Sequence, residues 1–400
     1  MCRVLALLVL VALVPGWAAA QQLPGGPVTA LDGRLSVGGE VSATFGDEDH
    51  TAYFNYTDYE HNTLRMLRIA LAAAWRPISR IELVGEVRSE DLHQVRPYAA
   101  FVRVRPWPAH AFDVQVGRIP PAFGAYGRRS YQNDNGFIGY PLAYQYLTSL
   151  RTDAIPATVA DLLVMRGRGW QASYPVGSPE PGPGVPVISA FRWDTGVQAH
   201  WEGRHVEATG AITAGTLGAP RSRDDNDGKQ LSGRVAARPV AGLILGASGA
   251  RGEFLSKDVT RNLPPSSGPY AQTAFGADGE YSRDHWLVRG ELIWSRWNMP
   301  FITPQITEDL DAFGGWIEGR YRITPRIVAA ARFDRLTFSR IAAGTGVLRT
   351  WDAPVERIEA DAGYYLQRNL VLRFAVQHND RSGGRVRSRT YFSGQIAYWF

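Results

Sequence analysis

From residue 33 to the C-terminus the chain repeats one pattern. Segments of about ten residues alternate an apolar side chain with a small, polar or charged one. In "HWLVRGELIWSR" (285–296), Trp286, Val288, Leu292 and Trp294 share one parity, while Arg289 and Glu291 take the other. "RIVAAARFDRLTF" (326–338) opposes Ile327, Ala329, Ala331 and Phe333 to Arg332 and Asp334 in the same way. A period of two places successive side chains on opposite faces of a strand, so each segment has one apolar and one charged face. Beyond the first twenty residues no apolar run approaches the length a spanning helix needs, so a membrane protein of this sequence must cross with strands.

The pattern segments into strands near 33–45, 63–75, 81–90, 94–105, 111–119, 187–202, 205–217, 230–238, 243–255, 271–282, 286–297, 311–322, 326–338, 355–366, 370–379 and 388–400. Tight turns such as "RPISR", "EGRH", "SRDH" and "LQRN" alternate with mostly longer polar loops. The expected fold is therefore all-β: a transmembrane up-and-down antiparallel β-barrel over 33–400, with about sixteen strands and eighteen as the alternative. A soluble sandwich shows the same alternation, but a single sheet this wide has no interior large enough to hide so many apolar faces. Trp75, Trp107, Trp201, Trp286, Tyr364 and Tyr398 lie near segment ends, where a membrane wall carries its aromatic girdles.

Residues 1–20 join a basic start to an apolar run and end in Ala18-Ala19-Ala20, the form of a cleaved export signal, and 21–32 are expected to be a short periplasmic segment. The single cysteine, Cys2, falls in that leader, so no disulfide is expected. A net charge of +5 from 43 basic and 38 acidic residues is too balanced, and too free of basic runs, to indicate nucleic acid as a partner.

One connection, 120–186, is far longer than ordinary loops. Sixteen strands enclose a ring roughly 30 Å across, too wide to discriminate among small solutes. Residues 120–166 are rich in Tyr and Phe and are the natural material for a constriction lodged inside. Strand parity turns many arginines and acids into the lumen, where opposite charges on neighbouring strands are expected to pair. An excess of arginine is expected at Arg103, Arg105, Arg128, Arg129 and Arg151, accompanied by Tyr131, Tyr144 and Asp153, and would favour anions.

At "VQVGRIPPAFG" (114–124) a strand ends in Gly-Arg and passes into Pro-Pro-x-Phe-Gly. This resembles the segment by which phosphate-selective porins leave the wall and begin their inward loop. The resemblance implies a sixteen-stranded trimeric channel for small solutes or anions, with Arg118 at the start of the constriction. Only two lysines, Lys229 and Lys257, are present, so the lysine cluster of that family has no counterpart and its phosphate specificity is not carried over.

An enzyme is not expected. The eight histidines are scattered, and no serine-hydrolase, zinc-protease, cysteine-based or phosphate-loop motif occurs, so neither cofactor nor metal is implied. "RDDNDGK" (223–229) lacks the first and last ligands of a calcium loop. A barrel fully plugged by its long connection, with a structural or surface-binding role, is the alternative reading. The chain ends in "YFSGQIAYWF", whose Ile396, Tyr398 and Phe400 share the apolar face and resemble the terminal signal that outer-membrane barrels present to their assembly machinery. Outer-membrane lipid and lipopolysaccharide complete the expected partners.

Overall fold

A computed structural model describes residues 26–49, 54–57, 61–107, 109–223, 228–261, 263, 269–342, 346–384 and 386–400. The expected leader lies outside the described residues, as does the middle of the acidic loop at 224–227. Sixteen antiparallel wall strands follow one another in chain order. β1 to β5 are Leu35–Gly46, Met66–Ile78, Ile81–Glu90, Gln94–Val104 and Phe112–Ile119. β6 to β11 are Asp194–Glu202, Val206–Thr213, Gln230–Ala237, Leu243–Glu253, Ala271–Arg283 and Trp286–Phe301. β12 to β16 are Ile306–Arg322, Ile327–Phe338, Val355–Gln367, Leu370–Arg381 and Ser388–Trp399.

Each strand pairs with its neighbours, and β16 pairs with β1 from Glu40↔Trp399 to Gly46↔Ser393, which closes the barrel and leaves no edge in lipid. Phe400 continues this seam by exchanging two backbone hydrogen bonds of 3.0 Å with Gly39. Just below, Val28–Ala30 forms a short strand on Leu35–Val37, so part of the segment expected to be periplasmic extends the wall where β16 runs out.

Alternation is carried through the whole wall. Leu292 is 55 % exposed while Ile293 and Ser295, facing inward on the same strand, are 0 % exposed. Phe275, Phe313, Ile317, Phe374 and Phe392 likewise form an exposed apolar band, in contact with lipid in a membrane. Trp75, Trp201, Trp286, Tyr321, Tyr364 and Tyr398 lie exposed near the short-turn ends of their strands, and Trp286 packs on Tyr321 at 4.5 Å between ring centroids. Short turns on this side, together with both ends of the described barrel, mark it as the periplasmic face of an outer-membrane barrel.

Two expectations need correction. The strand expected at 187–202 starts at Asp194, because Val187, Ile188, Ala190, Phe191 and Trp193 are all buried. Both parities are covered by protein there, so the apolar parity of 187–193 faces the packed interior and not lipid. Asp194 fixes the change of direction: its carboxylate accepts N–H bonds from Thr195 at 2.9 Å, Gly215 at 2.9 Å and Arg221 at 3.1 Å. The other is the eighteen-strand alternative: within the long connection Val176–Gly177 pairs only with Ala154–Ile155 and adds nothing to the wall, which has the sixteen strands expected.

Removing Phe400 deletes the last two bonds of the closing seam and one half-buried aromatic at the periplasmic girdle. The expected outcome is a several-fold loss of heat-modifiable, folded barrel in the outer-membrane fraction, with export across the inner membrane unchanged. Equal folded yields for the truncated and full chains would contradict the role of this seam.

Candidate functional site

The connection between β5 and β6 runs from 120 to 193 and folds into the barrel. Its entrance depends on two glycines. Gly117 has φ +131°, and a Cβ there would lie 2.3 Å from Ala100 O; Gly124 has φ +72°, and its Cβ would lie 2.5 Å from Glu291 Oε1 and 2.6 Å from the Tyr144 hydroxyl. Any other residue at either position meets both an unfavourable backbone and a clash. These are the two glycines that frame "GRIPPAFG", so that motif is a steric requirement for turning off the wall and packing against it.

Inside, the connection is held by carboxylates of the wall. Glu40 accepts the Gln132 N–H at 2.7 Å, Asp361 that of Ile138 at 3.0 Å, Glu359 that of Gly139 at 3.2 Å and Asp334 that of Leu142 at 3.1 Å. Glu291 accepts the Ala125 N–H at 3.0 Å, the Tyr144 hydroxyl at 2.7 Å and the Trp316 indole at 3.2 Å. Buried N–H groups that no regular ladder satisfies need such acceptors, and the lumen-facing acids supply them. Aromatic packing adds to the hold: Tyr126 contacts Tyr140, Tyr144 and Trp316 at centroid distances of 5.9, 4.9 and 5.8 Å.

Loops also fold inward to cover the connection. Asp352, between β13 and β14, accepts N–H bonds from Ser149 at 2.5 Å, Gly167 at 3.0 Å and Ala353 at 2.6 Å, and the Tyr146 hydroxyl at 3.2 Å. Burial pushes its carboxyl above the usual aspartate range, against the lowering effect of those bonds. Arg357 reaches from the wall to the carbonyls of Phe54 at 2.8 Å and Tyr140 at 3.0 Å, and Ser256 N–H donates to Thr152 O at 2.8 Å. Asp352 carried no sequence signal, since a lone acid in a loop resembles any solvated one.

Below this filling, towards the short turns, the lumen carries charges of both signs, most of them buried in pairs. Arg103 bonds Glu82 at 2.5 Å and approaches Asp113 at 3.6 Å, and Arg105 lies 3.7 Å from Glu82. Arg129 pairs with Glu280, and Tyr131 donates to Glu86 at 2.5 Å. Arg151 instead serves the connection itself, gripping Asp153 at 2.8 Å and the carbonyls of Ala172 and Glu180 at 2.8 and 2.6 Å. Most of the expected arginine excess is thus matched by acids. Arg128 differs, donating to Pro121 O at 3.0 Å and Thr209 Oγ1 at 3.4 Å and forming no ion pair with a carboxylate among the described residues; burial and then Arg234 push its guanidinium down to about 10. Arg118 is a correction: it pairs in register with Ala100 and Thr195, on the parity of the exposed Val102, Val116 and Val197, so it faces outward. Among the described residues no group of three or more His, Cys, Asp or Glu is arranged to hold a metal ion.

No protein-family model matches the sequence, and no curated protein is significantly similar to it. Solved structures do match. OmpF of Salmonella typhi superimposes with a TM-score of 0.55 at 12 % identity, covering 92 % of this chain and 97 % of the other. An anion-selective porin from Comamonas acidovorans gives 0.54 at 9 % identity over 92 % and 99 %. The outer-membrane protein OmpT of Vibrio cholerae gives 0.52 at 12 % over 94 % and 100 %. The fold is that of a porin. At such identities the likeness is one of architecture, and the particular resemblance to phosphate-selective porins rests on the motif at 114–124 alone.

Replacing Asp352 with Ala removes the shared acceptor of several buried donors, a loss of about 3 kcal/mol in local stability. Amide exchange at Ser149 and Gly167 is expected to accelerate roughly a hundredfold while exchange in the wall strands stays slow. Unchanged protection at those two amides would show that Asp352 does not hold the connection.

Proposed function

We propose that the chain is an outer-membrane diffusion channel for small hydrophilic solutes, of low conductance, in which residues 120–193 set the bore. The observation that carries this reading is the charged lower lumen: Arg103, Arg105, Arg129, Arg234 and Arg289 stand opposite Glu82, Asp113, Glu207, Asp278 and Glu280 inside a closed wall. A barrel with only a structural role gains nothing from desolvating paired charges that an apolar filling would replace at similar or better stability. A solute path does, because two-signed polar walls replace the hydration of a small polar molecule. The reading assigns the chain no catalytic step, and a homotrimer remains part of it by analogy with the motif at 114–124.

Because the acids match most of the arginines, the proposed anion preference is weak and depends on the unmatched Arg128. Reversal potentials in a planar bilayer under a salt gradient are expected to favour chloride slightly, and Arg128→Ala to bring the permeability ratio close to one. Cation preference in the unmodified protein would sink the anion assignment.

A fully plugged barrel is the second reading, favoured by the complete burial of Tyr144, Tyr146, Phe123 and Phe137 in the connection. Deleting residues 125–160 separates the two. The diffusion channel shows small stepwise conductance that rises several-fold on deletion; the plugged barrel is silent until the segment is removed.

A further inference from the structure

The periplasmic end of the lumen is not electrically uniform. Across β2 to β8 its buried and half-buried charges are paired, Arg76 with Glu82 at 2.8 Å and Arg238 with Glu202 at 2.5 Å and Glu207 at 2.6 Å, while Arg80 and Arg204 stand exposed in the turns. Across β12 to β16 they are not. There a cavity of about 830 Å³ opens at the short-turn side, with Arg322, Arg326 and Arg368 on its lining and no acidic side chain. All three arginines are exposed, and no ion pair or side-chain hydrogen bond is formed by any of them among the described residues. Deeper on the same strands Arg320 donates to Asp134 O at 3.4 Å, and Arg373 is committed to Gln132 and Gln395. The nearby carboxylates do not neutralise the collar. Asp361 is buried against the Ile138 N–H, Glu318 lies 3.8 Å from Arg332 and 3.9 Å from Arg289, and the C-terminal carboxylate of Phe400 contributes one negative charge against three positive ones.

The rest of the lining joins apolar Pro325, Tyr365, Leu366, Trp399 and Phe400 to Gly26 and the amide side chains of Asn133, Gln367 and Asn369, so an apolar part lies beside the cationic rim. We propose that this cavity is a binding site for small organic polyanions, such as di- or tricarboxylates, reached from the periplasm. Guanidinium forks match carboxylate geometry and stay charged at every physiological pH, and the aromatic wall accepts the carbon skeleton. The site would raise the local concentration of such anions at one mouth only, making the passage above it asymmetric. The asymmetry rests on the channel reading; the binding does not.

The test uses citrate on the full-length, detergent-solubilised barrel and on a variant carrying Arg322→Gln, Arg326→Gln and Arg368→Gln, whose exposed side chains carry no bonds needed for folding. Calorimetry at low ionic strength is expected to show citrate binding that weakens about tenfold or more in the variant and that 1 M salt, with its Debye length near 3 Å, abolishes. Arg238→Gln, in the paired sector, is expected to leave binding unchanged. In single-channel recordings citrate should reduce the current when added to one chamber and not the other, and the triple variant should lose that sidedness. Equal citrate affinity in the triple variant, or loss on Arg238→Gln alone, overturns the site. Binding that follows the collar in a silent protein upholds the site and overturns the channel instead. Pyrophosphate binding as tightly as citrate would show that charge alone is read and overturn the organic-anion assignment.

Discussion

A wall that turns carboxylates inward has to give each of them a partner, and here the partners are arginines of neighbouring strands and, for five of the acids, backbone N–H groups of one inserted connection. Glu40, Asp334, Glu359, Asp361 and Glu291 accept from successive parts of residues 125–142, so the irregular backbone of the connection and the buried acids of the wall satisfy each other. Neither could be buried alone. Where the wall charges stand, the connection docks; where it docks, the lumen is filled and the bore is decided.

This arrangement separates the lumen into two regimes. In the filled part, charge is consumed by hydrogen bonding, and side chains such as Arg357 and Asp352 act as fasteners between wall, loops and connection. In the lower part, charge is held in largely buried arginine–carboxylate pairs and ends, at the short-turn side, as an exposed arginine rim. On the proposed channel reading, selectivity belongs to the charges left without a bound partner, because a fixed charge already bound to a fixed partner offers a passing ion little.

Much of the wall was legible because a membrane barrel is built from the simplest periodicity a chain can have. Alternation located all sixteen strands and assigned Glu291, Arg332 and Asp334 correctly to the inside. The same logic failed where protein covers both parities, as at Val187 to Trp193; at Arg118 it was the family resemblance that misled, since alternation puts this residue outside, where the structure has it. The long connection could be recognised as inward material from its length and aromatic content, and Tyr131 and Tyr144 do anchor it. Its fastening to Asp352, and the inward course of the loops that carry Phe54 and Phe254, could not be read, since irregular loops show no period that assigns a side chain to a face.

By itself the sequence determined that this chain crosses a membrane with strands, closes through its own aromatic terminus and keeps charge inside. Those features follow from alternation, which each strand displays locally and which lipid enforces by offering no partner to an open edge. Only the tertiary structure decided which arginines remain unmatched. Pairing depends on strand register and on where residues 120–193 come to rest, and both are set by contacts between residues as far apart in the chain as Asn55 and Gln377.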